Sequence, residues 1–369
     1  MMSRKLPEVC EIQYGFPFDS SLFSAEGDLP LIRIRDVVRG YTETYTSEKC
    51  DVAYLVHEGD ILVGMDGVFN VAKWKGEPAY LNQRVCRIIP NETIDADFLF
   101  YFIPTALKKI ENETAFVTVK HLKAKQLNAV VVPDVPIEEQ KKIAAQLNVI
   151  SHLISLRQQQ AEKLDELVKA RFVEMFGEGK YGGNPLSNVC KLITDGTHQP
   201  PQFVDAGIPF LLVSNLVHNE ITYDTEKFIS KESYQELIKR TPVEIGDILL
   251  SIVGSYGHAG VVRTDKPFCF QRHIAYIKPD FSKLNSEFLH HALLSDAVKY
   301  QMEKRVKGIA QKTLNLSELK KIVVPIPPLA LQTEFSHFVH EVDREKERIQ
   351  RSAALLETLK RSLMQQYFG

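Results

Sequence analysis

At 369 residues, with 44% hydrophobic and 25% charged side chains, the chain is long enough for two or three domains, each with its own core. Its 45 basic and 47 acidic residues leave a net charge of −2, so no global excess of Lys and Arg announces a nucleic-acid partner. No apolar run approaches the roughly 20 residues that span a bilayer. The MMSRKLPEVC start lacks a signal peptide's apolar core, and Cys10, Cys50, Cys86, Cys190 and Cys269 form no CxxC pair. The composition points to a cytoplasmic protein with no membrane role, no disulfide framework and no zinc site.

Along the chain, residues 1–134 hold short β-branched and aromatic runs (LPLIRIRDV, GDILVGM, RVCRIIP) broken by Gly, Pro and Asn, which are strand and turn signals. DADFLFYFIPTALKKI reads as a helix set among them, so this is a mixed α/β domain. Residues 135–177 then begin with prolines and continue without Gly or Pro from Glu138 to Phe176, which predicts one long helix. Residues 178–326 return to short strands (IPFLLVSNLV, GDILLSIVG, HIAYIKP) around a helical NSEFLHHALLSDAVKYQMEKR. Residues 327–369 again begin with prolines and predict a second long helix from Leu329 to Phe368.

Apolar residues recur at steps of three and four along both helices: Ile143, Leu147, Ile150, Ile154, Ala161, Leu164 and Val168 in the first, and Phe335, Val339, Val342, Ile349, Ala353, Leu356, Leu359 and Leu363 in the second. Such a stripe wants a partner helix. At about 1.5 Å per residue each helix would reach roughly 55 to 60 Å, too long to bury its stripe on one ordinary domain. The two are therefore expected to pair with each other as an antiparallel coiled coil.

The chain is a duplication. VVPDVPIEEQKKI at Val131 to Ile143 returns as VVPIPPLALQTEF at Val323 to Phe335, an offset of 192 residues that also relates Phe176-Gly177 to Phe368-Gly369. EGDILVGMDG at Glu58 to Gly67 matches IGDILLSIVG at Ile245 to Gly254 with an offset of 187. Two similar but unequal halves with no shared catalytic cluster suit a ligand with two similar but unequal halves.

The pattern of a globular domain, a Pro-rich lead-in followed by Gln (PIEEQ, PPLALQ) and a long helix, repeated once, resembles the specificity subunit of Type I restriction-modification systems. TDGTHQPPQF, GIPFLLVSN, FQRHIAYI beside NQRVCRI, and GDIL in both halves reinforce the resemblance, which covers the whole chain. The first half departs more: YGFPFDSSLF stands where the second has DGTHQPPQF. The resemblance implies a non-catalytic α/β (α+β) protein with two target recognition domains, each gripping one half of a bipartite, asymmetric site in double-stranded DNA, and helices acting as a spacer. It also implies two methyltransferase subunits carrying S-adenosylmethionine and two motor-nuclease subunits using ATP and Mg²⁺, with no cofactor in this chain itself. Two recognition domains on one rigid spacer enter the groove on one side when half-sites lie about a helical turn apart.

Base readout draws on Arg or Lys against guanine, Asn or Gln against adenine, and Ser, Thr or aromatic groups for methyl and phosphate contacts. On Gly-rich turns near strand ends the candidates in the second half are Thr197, His198, Gln199, Ser214, Asn215, Ser255, Tyr256, His258, Gln271, Arg272, Lys307 and Lys312. In the first half they are Arg33, Arg35, Asp36, Asn70, Lys73, Gln83, Arg84 and Lys120. Gly59-Asp60 and Gly246-Asp247 read as turns and not as site residues.

Enzymatic signals are thin. Gly177, Gly179 and Gly182 satisfy GxGxxG but follow a helix and not a strand, which reads as a linker. Pro279-Asp280 with Glu318-Leu319-Lys320 imitates the PD...ExK pattern of Mg²⁺-dependent nucleases, leaving a DNA-binding nuclease or accessory subunit as the alternative. His290-His291 reads as packing. His337 and His340 lack the HExxH arrangement, which reads as a solvated helix surface.

Overall fold

A computed structural model describes residues 4–113, 120–177, 180–199, 201–308 and 312–369. The chain forms two compact units, Met1–Gln158 with Arg351–Gly369, and Gln159–Gln350, so each unit takes part of both long helices.

The duplicated sequence folds as a duplicated frame. In the first unit an antiparallel sheet is ordered Cys10–Tyr14, Val85–Pro90, Ile61–Gly64, Val71–Lys73; in the second, Cys190–Asp195, Ile274–Pro279, Ile248–Ser251 and Ala259–Val261 take the same places. The GDIL strands are unbroken apolar runs because both of their faces are covered. Ile61 and Val63 belong to one core and Leu62 to another. Ile248 and Leu250 repeat that division against Leu249. With a side-chain period of two, such a strand separates two cores, and the polar Ser251 at the end of one is buried with its Oγ accepting from His258 N–H at 2.9 Å.

A second sheet accompanies each: five short strands in the first unit, ordered Phe23–Ser24, Tyr45–Thr46, Leu29–Ile32, Ala79–Leu81, Leu55–Val56, and four in the second, ordered Phe203–Val204, Phe228–Ile229, Ile208–Leu211, Cys269–Phe270. The run read from LPLIRIRDV is strand only to Ile32; Asp36–Arg39 is a helical turn closed by Gly40 at φ 78°. The segment read as one helix in the second half is two, Ser286–Leu294 and Asp296–Glu303. Ser295 turns extended between them and caps the second by accepting from Val298 N–H. Its counterpart, Ala96–Glu113, is continuous despite Pro104.

The long helices run Ile137–Phe176 and Leu329–Phe368, 40 residues each. At equivalent positions Gly177 N–H donates to Val173 C=O (2.8 Å) and Gly369 N–H to Gln365 C=O (3.0 Å). Of the apolar stripe, Ile143, Leu147, Ile150, Ile154, Val168, Phe335, Val339, Val342 and Ile349 are buried. Leu359 departs from it at 48% exposed.

Each unit joins its own portions of the two helices. In the first, Phe368 lies against Phe98 and Phe102 (ring centroids 5.2 and 5.9 Å), and Tyr367 O–H donates to Gln146 Oε1 at 3.0 Å. In the second, Phe172 and Phe176 both meet Phe335 at 5.5 Å, Arg171 pairs with Glu334 at 3.2 Å, and Lys346 pairs with Asp165. Numbers rise on one helix as they fall on the other, so these portions of the second unit run antiparallel.

The repeated Gln of the Pro-rich lead-in has a structural use that pattern alone did not reveal. Gln140 and Gln332 are each 0% exposed. Gln140 Oε1 accepts from Asp95 N–H (2.9 Å) while its Nε2 donates to Val135 C=O (2.7 Å). Gln332 Oε1 accepts from Asn285 N–H (2.8 Å) while Nε2 donates to Lys283 and Pro327 C=O (2.9 and 2.8 Å). One buried amide thus ties the start of each long helix to the start of the helix packed beneath it.

Candidate nucleic-acid interface

The expected turn residues of the second unit converge from four segments. Thr197 bridges Gln271 in parallel fashion, bringing the loop after Cys190–Asp195 beside the turn that carries Arg272. Val253 bridges Thr313, Lys307 and Thr313 exchange backbone hydrogen bonds at 3.0 and 2.8 Å, and Lys312 C=O accepts from Gly254 N–H at 2.8 Å. Asp195, Arg272 and Thr313 line one cleft of about 240 Å³. Gln199, Ser214, Ser255, Arg272, Lys307 and Lys312 are exposed. Lys312 Nζ stands 6.0 Å over the Tyr256 ring, which holds the amine near the Ser255–His258 turn.

His258 sits between Ser255 Oγ (3.1 Å) and Asn219 Oδ1 (3.3 Å). Burial, then the positive charges of Lys299 and His218, push its pKa below the ordinary value, so at neutral pH it offers a hydrogen-bonding imidazole and not a cation. His198 Nε2 lies 3.0 Å from Asp195 Oδ2. Asp195 also holds Arg240, whose guanidinium reaches it from the segment after the helix Lys231–Leu237. Sequence reading missed Arg240 because 45 residues separate it from its acid and no motif surrounds it.

In the first unit the grouping is smaller. Gly67 N–H donates to Lys120 C=O (2.9 Å) and Asp66 bridges His121, whose Nδ1 lies 2.7 Å from Asp66 Oδ1. Arg84, at φ 72° and 59% exposed, pairs with Asp66 at 3.6 Å. Gln83 beside it is exposed, and Asn70, in the turn between Ile61–Gly64 and Val71–Lys73, is half-buried. Arg33 and Arg35 are exposed and lie on the other sheet's turn, Arg33 with its guanidinium 5.8 Å over Phe23 and Arg35 donating to Thr44 Oγ1 at 3.0 Å.

Several expected readers are spent inside the fold. Asp36, 1% exposed, accepts from Arg33 N–H (2.9 Å) and Thr42 O–H (3.1 Å), fastening the turn. Asn215, 5% exposed, accepts from Leu212 N–H and donates to Thr222 and Asp224 C=O at 2.9 to 3.0 Å, closing its own loop. Lys73 is paired with Asp97 on the helix Ala96–Glu113, and Lys120 Nζ donates to Glu111 C=O at 3.0 Å. These four bury or occupy the polar group that a base would need. Gly59 and Gly246 adopt φ of 92° and 93°, and the adjoining carboxylates accept from His57 and Glu244 N–H, so the Gly-Asp pairs are turns, as their chemistry suggests.

The residues of the nuclease-like pattern are separately engaged. Asp280 accepts from Ser282 N–H and O–H and pairs with Lys283, while Glu318 pairs with Lys321 at 2.8 Å. Among the described residues, the one grouping with metal-ligand chemistry is Glu287, His290 and His291. There Arg263 already grips Glu287 at 2.6 and 3.0 Å, His290 Nε2 faces the Ala259 and Asn219 carbonyls, and His291 packs on Phe335 at 5.3 Å. Gly179 of the GxGxxG match lies outside the described residues. No helix is long and apolar enough to cross a membrane among the described residues, and all five cysteine thiols are free.

Comparison with known proteins places this frame. The profile of the family described as "Type I restriction modification DNA specificity domain" matches residues 1–166 and 189–357. The chain is 31% identical to the Type I restriction enzyme EcoBI specificity subunit of Escherichia coli over 98% of its own length and 84% of that protein's. It is 23% identical to the MjaVIII specificity subunit of Methanocaldococcus jannaschii, over 81% and 77%. Two solved structures share the fold. One is the Type I system S subunit from M. genitalium (TM-score 0.55, 16% identity, 100% of this chain and 96% of that one). The other is a chain from a study of type I R-M complex assembly and conformational transition (TM-score 0.60, 17% identity, 100% and 97%).

Proposed function

The chain belongs to the Type I restriction-modification DNA specificity family and is a specificity subunit, and from that premise we propose that its two sheet-rich domains each read one half of a bipartite, asymmetric site in double-stranded DNA. The observation that carries the proposal is the repeated frame with unrepeated turns. Strand order, Gly-Asp turns and buried Gln recur, whereas Asp195, His198 and Arg240 in one unit and Asp66, Arg84 and His121 in the other come from non-equivalent positions. A conserved scaffold under two different sets of polar head groups suits two different half-sites, since a two-fold symmetric reader would favour a palindrome.

The recognition domains are residues 1–134 and 178–326, and the segments 135–177 and 327–369 pair along their length as an antiparallel coiled coil that sets the half-site spacing. The chain supplies recognition. Chemistry comes from partners: two methyltransferase subunits holding S-adenosylmethionine, and two motor-nuclease subunits using ATP and Mg²⁺, in the cytoplasm.

The test is to map modified adenines in the host genome with the gene intact and deleted. A two-part asymmetric motif that vanishes on deletion supports the reading; an unchanged pattern in cells expressing the assembled complex overturns it. Exchanging residues 1–134 for another recognition domain should change one half of the motif and leave the other as it was.

A further inference from the structure

We infer that Arg240 is a base-reading residue of the second unit, a guanine reader held in place by Asp195, and that Arg84 braced by Asp66 is its counterpart in the first. The inference rests on the chain's reading of DNA and adds which side chains do it and what they recognise.

Guanine presents the acceptors O6 and N7 side by side in the major groove, and a guanidinium donates to them most readily when it is already oriented. A free arginine must give up most of its rotamer freedom to reach that geometry; a carboxylate behind it removes much of that cost. Asp195 is such a carboxylate. Its side chain is 11% exposed whereas that of Arg240 is 50% exposed, so the acid is seated in the fold and the base stands in solvent. Arg240 meets Asp195 Oδ1, Thr194 Oγ1 (3.4 Å) and His198 Nε2 (3.4 Å), all through Nη2; both forked edges of the guanidinium include Nη2, so Nη1 is left to meet a single guanine acceptor. An exposed ion pair serving stability alone contributes little, and here the acid is nearly buried for the sake of a half-exposed partner.

The first unit reaches a similar arrangement independently. Arg84 is 59% exposed and its acid, Asp66, 26%. In each unit the same acid also holds a histidine, His198 at 3.0 Å and His121 at 2.7 Å. Yet Arg84 aligns with Arg272 and not with Arg240, and Asp66 aligns with Val253 in the GDIL repeat. Two units that share a scaffold by duplication have arrived at one acid, one exposed arginine and one histidine from different positions. Inheritance of the frame does not account for that. Arg240 and Asp195 also sit where the expected readers gather, since Asp195 lines the cleft with Arg272 and Thr313.

The test uses the methyltransferase assembled with this full-length chain, its methylation motif measured on a randomised DNA library. Arg240→Ala should lose discrimination for guanine at one base pair of one half-site, on the order of tenfold to a hundredfold, with the other half unaltered. Arg84→Ala should do the same in the opposite half. Arg240→Lys keeps the ion pair with Asp195 but spends its single nitrogen on it, with no second nitrogen for the base, and should relax the same base pair, which keeps the test alive if the alanine variant folds poorly. Asp195→Asn should relax that base pair too, more weakly. An unchanged motif overturns the inference. So does uniform weakening on all sequences with a salt dependence reduced by about one unit of slope, the signature of a phosphate contact. A wild-type complex with no two-part motif would instead overturn the reading beneath it.

Discussion

The two units are the same frame carrying different hands. Where the frame is concerned, correspondence is close: Gln140 and Gln332, Gly59 and Gly246, and Gly177 and Gly369 make matching backbone contacts or turns. Where the sheets end in solvent it fails. The second unit has the helix Lys231–Leu237 ahead of Arg240, whereas the first passes through the short turn Val52–Tyr54. A duplicated protein is thereby free to diverge in what it touches without renegotiating how it folds, because the diverging side chains lie outside both cores.

That contrast can be broken most forcefully in the frame. Phe335 is fully buried against Phe172, Phe176 and His291, while the position 192 residues earlier is the smaller Ile143. Phe335→Ala should cost the second unit about 3 to 5 kcal/mol, read as loss of amide protection there before the first unit by hydrogen exchange. Next come the paired amides. Gln332→Ala strands the Asn285 N–H and two carbonyls, and Gln140→Ala strands the Asp95 N–H and one carbonyl. Each should lower stability by about 1 to 3 kcal/mol, each in its own unit. Equal protection losses in both units from either variant would contradict the local role assigned to them.

A smaller effect should separate the units by pH. His291 is pushed down to about 3 by burial first, then by the positive charges of His290, Arg263 and Lys346. The folded chain therefore keeps it neutral while the unfolded chain protonates it near pH 6.5. The unfolded state binds more protons in that window, so stability from this group is present above pH 6.5 and falls as pH drops toward 3. His291→Phe should flatten the acid limb of second-unit stability between those values. The first unit has Tyr101 at the matching place, bonded to Asn148 and Ser151, and should not share that limb. Least of all, Glu318→Ala should leave the melting temperature and any Mg²⁺-dependent cleavage by preparations of the chain unchanged; loss of cleavage would restore the nuclease alternative.

Much of the frame was legible in the sequence for physical reasons. Two 40-residue helices announce themselves because nothing in them breaks a helix, and the GDIL strands because a strand buried on both faces is built mainly of apolar residues. The break at Ser295 was hidden, since a serine is tolerated within a helix and becomes a cap only when the chain turns. The interface was less legible. Asp36 and Asn215 have the chemistry of readers, and composition cannot tell an amide that faces a base from one that closes its own loop. Arg240 shows the opposite failure: its partner is supplied by the fold, not by its neighbours in sequence.

Phe368, 4% exposed, packs on Phe98 and Phe102, so the first unit's core includes a residue encoded after the whole of the second unit. On the ribosome this inverts the usual order of events. The unit encoded first cannot finish packing until residues 351–369 have been translated and have left the ribosome, while the unit encoded second already has every segment it needs. Early termination anywhere after residue 350 would therefore injure the oldest part of the nascent chain and spare the newest.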